Sequence, residues 1–194
     1  MEPILLRIPG PERLSDDWLY EFCGANRELR IERDKDGQII IMAPVGALGS
    51  SFNNTIGSLL WLWNQELKSG ITFDSSAGFR LPDKSMRSPD AAWIRNSRWT
   101  TISLDEQKKF APITPDFVIE VRSESDLLNE LKDKMKEWIE NGCQLAWLID
   151  PLEQKAYIFK PRPSSVEEIT SFNQVMKATH VVPGFSLDLA KLKS

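Results

Sequence analysis

The chain has 194 residues, 41% hydrophobic and 27% charged, with a formal net charge of −4 and a pI near 5.2. This is the composition of an ordinary soluble globular protein, and it speaks mildly against a dedicated nucleic-acid binder, which is usually basic. No apolar run reaches the ~18 residues of a membrane span, residues 1–7 lack a secretory signal, and Cys23, Cys143 and the lone His180 point to a reducing cytoplasm without a zinc site or a Ser-His-Asp triad.

In chain order, Leu14 to Cys23 reads as a short helix with Ser15 as N-cap. Leu29 to Arg33 and Gln38 to Met42 read as a hairpin around Asp34-Lys35-Asp36-Gly37. Leu48 to Lys68 reads as a helix with an apolar stripe of Ile56, Leu59, Leu60, Trp63 and Leu67, ended by Gly70. Ile71 to Leu81, interrupted at Gly78, and Pro89 to Ile94 read as strands. A polar excursion from Asn96 to Phe110, with a short helix near Asp105, leads to a strong strand from Pro115 to Arg122. Ser123 to Asp126 supplies an N-cap and acidic first turn for a helix from Leu127 to Asn141, ended by Gly142. Leu145 to Ile149 is apolar enough for a central buried strand, and Lys155 to Phe159 is another. One or two edge strands and a turn at Phe185–Leu192 close the chain. The expected fold is mixed α/β with a mixed central sheet: helix, three strands, helix, strand, preceded by a hairpin. One domain over residues 1–194 is expected, with an N-terminal helix and hairpin extension (1–46), a core (47–160) and C-terminal edge elements (161–194).

The residues that carry chemistry are Asp90, Glu120, Arg122 and Lys134. Asp90 opens one strand, and Glu120 and Arg122 form an acid-x-base triplet in the next. Alternation puts Phe117, Ile119 and Val121 on one face and Val118, Glu120 and Arg122 on the other, with Glu120 and Arg122 roughly 7 Å apart. Two carboxylates suit Mg²⁺, which is held by oxygens and substrate phosphate. The plainer reading is a salt bridge on a solvated sheet face. Against it, the flanking residues are nearly all apolar, and burying carboxylates costs several kcal/mol unless they are paired or bind a metal. Lys134 lies at the edge of the apolar stripe of its helix, either leaning inward or snorkelling over apolar surface. Glu32, on the hairpin, reads alone as a surface acid, and Asp150 before Pro151 as a strand-end turn residue. Trp61, Trp63, Trp93, Trp138 and Trp147 read as core, and Trp99 as the better candidate for stacking on a base.

Together these stretches resemble the PD-(D/E)XK nuclease superfamily, and more specifically its Uma-type "putative restriction endonuclease" family. The resemblance is carried by Leu29 to Arg33, Gly78 to Pro82, Arg87 to Ala91, Pro115 to Ser123, Asp133-Lys134-Met135 and Asn141 to Pro151. It implies Asp90 and Glu120 as metal ligands, Glu32 as an additional acid, Mg²⁺ (or Mn²⁺) as cofactor and nucleic acid, most simply DNA, as substrate. It also implies a homodimer. Arg122 stands where the superfamily has lysine, and arginine cannot act as a neutral base; Lys134 is then the candidate to take over that role. Asn53 stands near a position where many relatives carry histidine. The expected function is a Mg²⁺-dependent endonuclease with Lys134 and Arg122 stabilising the phosphate. The alternative is a weak or inactive nuclease fold serving as a binding module. A glycosidase fits the acid pair but not its basic neighbours.

Overall fold

The computed structural model describes residues 4–6, 15–161, 166–178 and 180–193. The expected start of the first helix at Leu14 lies outside them. Three sheets organise the described residues. The first, ordered β1-β3-β2-β6-β5, is antiparallel and built on the hairpin of β2 (Arg30–Arg33) and β3 (Ile39–Met42). Gly37, at φ 86, makes its turn. β1 (Ile4–Leu6) pairs with β3, while β5 (Phe79–Arg80) and β6 (Met86–Arg87) extend the other side. The first helix, α1 (Asp16–Ala25), starts at the Ser15 cap and packs Leu19 against Ile31, Ile39 and Met86.

The central sheet has six strands in the order β11-β10-β9-β8-β7-β4. These are β4 (Gly70–Asp74), β7 (Ala91–Arg95), β8 (Phe117–Val121), β9 (Leu145–Asp150), β10 (Lys155–Phe159) and β11 (Glu167–Ile169). Within this sheet, among the described residues, only β8 and β9 run parallel; α5 (Leu128–Glu140) joins them over one face, so the sheet is mixed as expected. Alternation in β8 holds. Phe117, Ile119 and Val121 join one core with Phe52, Ile56 and Leu60 of α2 (Ala47–Leu67). Val118 joins the other, with Met135 and Trp138 of α5. Every residue of β8 is buried because both faces are covered. A two-stranded sheet of β12 (Val175–Lys177) and β13 (Ser186–Asp188), with a 3₁₀ turn at Leu189–Leu192, closes the first core through Phe185, Leu187 and Leu189.

Five expectations are corrected. The stretch from Ile71 to Leu81 is two strands in different sheets, parted at Gly78, where a Cβ would meet the Phe110 ring at 2.6 Å. Gly70 does not end α2; Lys68 does, in the left-handed region at φ 50, and Gly70 opens β4 because a Cβ there would meet the Ile94 carbonyl at 2.3 Å. Leu67 is exposed, one step beyond the buried face of Phe52, Ile56, Leu60 and Asn64. Ser123 and Asp126 do not cap α5. They bond each other, with the Ser123 amide and hydroxyl donating to Asp126 Oδ2 at 2.8 and 2.6 Å, and α5 begins after Leu127 without a side-chain cap. The excursion after β7 contains two short helices, α3 (Asn96–Trp99) and α4 (Leu104–Gln107), the second with a Ser103/Glu106 capping box.

Candidate active site

The site forms where the C-terminal end of β8, the start of β7, the hairpin and α5 converge. Asp90 immediately precedes β7, and the antiparallel register Ala91↔Ile119 brings it beside the end of β8. Its Oδ2 accepts the Val121 amide at 2.9 Å, and its Oδ1 accepts Asn53 Nδ2 from α2 at 2.8 Å. Arg30 on β2 stands off at 3.8 Å. The Asp90 side chain keeps 10% of its surface exposed, so it is desolvated yet reachable. Burial pushes its pKa up, only partly countered by the Val121 amide, Lys134 and Arg30.

Glu120 projects toward α5. Its Oε1 meets Lys134 Nζ at 2.8 Å and accepts Trp138 Nε1 at 3.3 Å. Burial raises its pKa to about 7; Lys134 pulls it down, while the charges of Asp90 and Glu32 push it up again. Lys134 lies one helical turn from Trp138, which fixes its lean toward the sheet. Its Nζ also reaches Glu32 Oε1 at 2.9 Å and the Ser88 carbonyl at 3.4 Å. Burial disfavours its charge, but Glu120 and Glu32 outweigh that and hold its pKa above the usual lysine value. Lys134 is therefore a fixed cation, and the snorkelling reading is set aside.

Glu32 is buried rather than a surface acid, because the hairpin folds back over the end of the central sheet. It accepts the Ser88 amide at 3.0 Å and Arg87 Nη1 at 3.0 Å. Burial raises its pKa, and Lys134 and Arg87 overcome that to leave it below the usual value. Arg87 also grips Glu137 of α5 through two bonds of 2.7 Å. The hairpin, β6 and α5 are thus tied together by charge beneath Asp90 and Glu120.

Arg122 is not brought to this cluster by the contacts it makes. It follows the last residue of β8, and its guanidinium is taken by Asp150 Oδ2 at 2.8 Å and the Asp126 carbonyl at 3.2 Å. The parallel register Val121↔Ile149 puts Asp150 directly beside it. Asp150 is both the expected turn residue, accepting the Leu152 and Glu153 amides, and this ion-pair partner. Trp61, read as core, is 51% exposed and lines a hollow of about 590 Å³ with Asn53, Arg30 and Asp90. Trp99 packs on Phe73, ring centroids 5.1 Å apart, beside the second core.

Asn53, read in the sequence only as standing near a position where many relatives carry histidine, sits against Asp90. Its Oδ1 is buried and has no hydrogen-bond partner among the described residues, while its Nδ2 serves Asp90. The groove holding Asp90, Glu120 and Lys134 encloses about 630 Å³ and is lined, among the described residues, by eleven carboxylates and five cationic side chains. Such a site attracts cations and repels polyanions. No group of three or more His, Cys, Asp or Glu side chains among the described residues is arranged to hold a metal ion unaided.

A family model described as "Uma2: Putative restriction endonuclease" matches residues 16–190. A crystal structure of "a putative nuclease belonging to DUF820" from Anabaena variabilis is similar in fold, with a TM-score of 0.72. That similarity covers 85% of this chain and 90% of that one at 19% sequence identity. No curated protein matches the sequence. The chain belongs to the Uma2 family, and that membership supports a nuclease function.

Proposed function

We propose that this Uma2-family protein is a Mg²⁺-dependent endonuclease of the PD-(D/E)XK type acting on DNA. The observation that carries the reading is the convergence of Asp90, Glu120 and Lys134 at one end of the groove, with both carboxylates short of positive charge. The donors fit the metal: two carboxylates and an amide oxygen are hard ligands of the kind Mg²⁺ takes, with water and substrate phosphate completing its shell. The orphaned Asn53 Oδ1 supports the fit, since a buried acceptor without a donor is satisfied by a cation or a water bound to one. When bound, Mg²⁺ supplies polarisation of the phosphoryl oxygen and a more acidic water.

The protein's own groups divide the remaining work. Asp90 and Glu120 hold the ion, and Asn53 and the Val121 amide fix the Asp90 rotamer. Lys134 orients Glu120 and lends positive charge to the scissile phosphate. It is a poor proton acceptor, because Glu120 and Glu32 keep it protonated. Glu32 holds Lys134 from the far side. Arg122, engaged by Asp150, braces the turn after β8 instead of contacting the phosphate.

A second reading, a weak or inactive nuclease fold serving as a binding module, draws on the Lys134–Glu120 contact of 2.8 Å, which competes with a metal for the same oxygen. A plasmid-nicking assay separates the two. The endonuclease reading expects nicking with Mg²⁺ or Mn²⁺ that is lost in both Asp90→Asn and Glu120→Gln. DNA binding by wild type with no cleavage under either metal establishes the binding module instead. A single-stranded RNA substrate run in parallel tests the choice of DNA, and sedimentation tests the expected homodimer.

A further inference from the structure

We propose that a second cleft, on the opposite side of the hairpin from the acidic groove, binds phosphate groups. It encloses about 740 Å³ between the hairpin turn, the β5–β6 turn and α3, room enough for a nucleotide-sized ligand. Among the described residues its walls carry five cationic side chains, Arg33, Lys35, Arg80, Lys84 and Arg98, against the single carboxylate of Asp16. In a chain of net charge −4 this concentration is local and one-sided.

The charges are arranged to leave positive potential over. Asp16 bridges Arg33 and Arg80, holding both guanidinium groups at the wall. Arg33 is further fixed by the Lys84 carbonyl at 2.8 Å. Arg98 is held at 3.1 Å by Asp116, which is buried and does not line the cleft. Lys35 and Lys84 are exposed and make no ion pair among the described residues. Ile102 and Ile113 give the cleft an apolar floor, which strengthens any charge interaction made above it. Oriented guanidinium groups flanked by exposed ammonium groups form a receptor for phosphate oxygens.

The contrast with the acidic groove suggests a purpose. The eleven carboxylates of that groove, Asp90 and Glu120 among them, oppose a polyanion except where a bound cation sits. The basic cleft supplies the missing attraction, and Lys35 borders both cavities. Phosphate binding here stands on the cleft alone. That the phosphate belongs to the strand being cut rests on the endonuclease reading.

The test is the double variant Lys35→Gln/Lys84→Gln, which changes two exposed side chains and neither acid of the groove. Two probes are titrated in EDTA: ATP by calorimetry and a fluorescein-labelled 20-base-pair DNA duplex by anisotropy. The wild type is expected to bind at least one, and the variant to bind it about tenfold more weakly at an unchanged Tm. If the duplex is the ligand, the slope of log affinity against log salt falls by about two. Loss confined to the duplex assigns the site to a nucleic-acid backbone; loss confined to ATP assigns it to a free nucleotide. Wild type that binds neither probe, or a variant that binds both unchanged, overturns the proposal. Because the titrations need no metal and repeat in Glu120→Gln, they are read independently of any cleavage result.

Discussion

The two ends of β8 each hold a carboxylate removed from water, and they neutralise it differently. At the N-terminal end, Asp116 takes Arg95 Nε at 2.9 Å, Arg98 Nη1 at 3.1 Å and the Arg95 amide at 3.0 Å. Two arginines serve one acid, and both remain partly exposed, so water helps carry their charge. At the C-terminal end, Glu120, Asp90 and Glu32 gather around Lys134 and Arg87, with Arg30 at the longer distance of 3.8 Å. An acid with surplus cations is architecture. Acids that share too few cations retain affinity for another one, which is what a metal-dependent reaction needs. Both Asp90 and Asp116 follow a proline, so the dipeptide does not distinguish them. Their neighbours do.

The largest expected effect comes from taking the shared cation away. Lys134→Met leaves Glu120 and Glu32 buried with less compensation and is expected to cost about 3–5 kcal/mol in urea unfolding at pH 8. The cost shrinks at pH 5, where Glu120 is protonated. A variant as stable as wild type would mean that the C-terminal end is as well neutralised as the other. Next, Asp116→Asn is expected to lose about 2–3 kcal/mol, whereas Asp90→Asn stays within about 1 kcal/mol of wild type without metal. Equal losses would erase the distinction between the two ends.

A smaller effect is the pH dependence of Glu120. Its folded pKa of about 7 lies above the ordinary 4.5, so between those values the folded protein holds a proton that the unfolded chain has released. The stability contributed by that proton is fully present below 4.5 and lost as pH rises toward 7, by up to ~3 kcal/mol. Glu120→Gln should flatten that slope in urea titrations at pH 5 and 7.5. Since a metal must displace the same proton, the apparent Mn²⁺ affinity should rise by up to about tenfold per pH unit below 7 and level off above it. The smallest change in cleavage is expected for Arg122→Gln, less than about tenfold, because its guanidinium serves Asp150; a loss as large as that of Asp90→Asn would return it to the phosphate.

Much of the Glu120 end of β8 was readable in advance. Period-two alternation in β8 correctly sent Glu120 to the face away from Phe117 and Ile119, and the wheel of α5 put Lys134 at the inner edge of its stripe. Arg122 was harder. An acid-x-base triplet reads as two neighbours on one face, but β8 ends at Val121 and β9 offers Asp150 to the arginine first. Glu32 and Trp61 misled for a shared reason. Whether a side chain at a given step of a strand or helix is buried depends on what lies over it, and the covering element is far away in sequence.

The sequence alone therefore determined most of the elements and the face of β8 on which Glu120 lies, because these follow from local periodicity and side-chain chemistry. Only the tertiary structure decided which charges meet. Glu32 joins Lys134 across 102 residues, Arg87 joins Glu137 across 50, and Asn53 joins Asp90 across 37. Whether an acid ends with surplus or deficient positive charge is set by those long-range pairings, since electrostatic energy depends on distance and burial rather than on position along the chain.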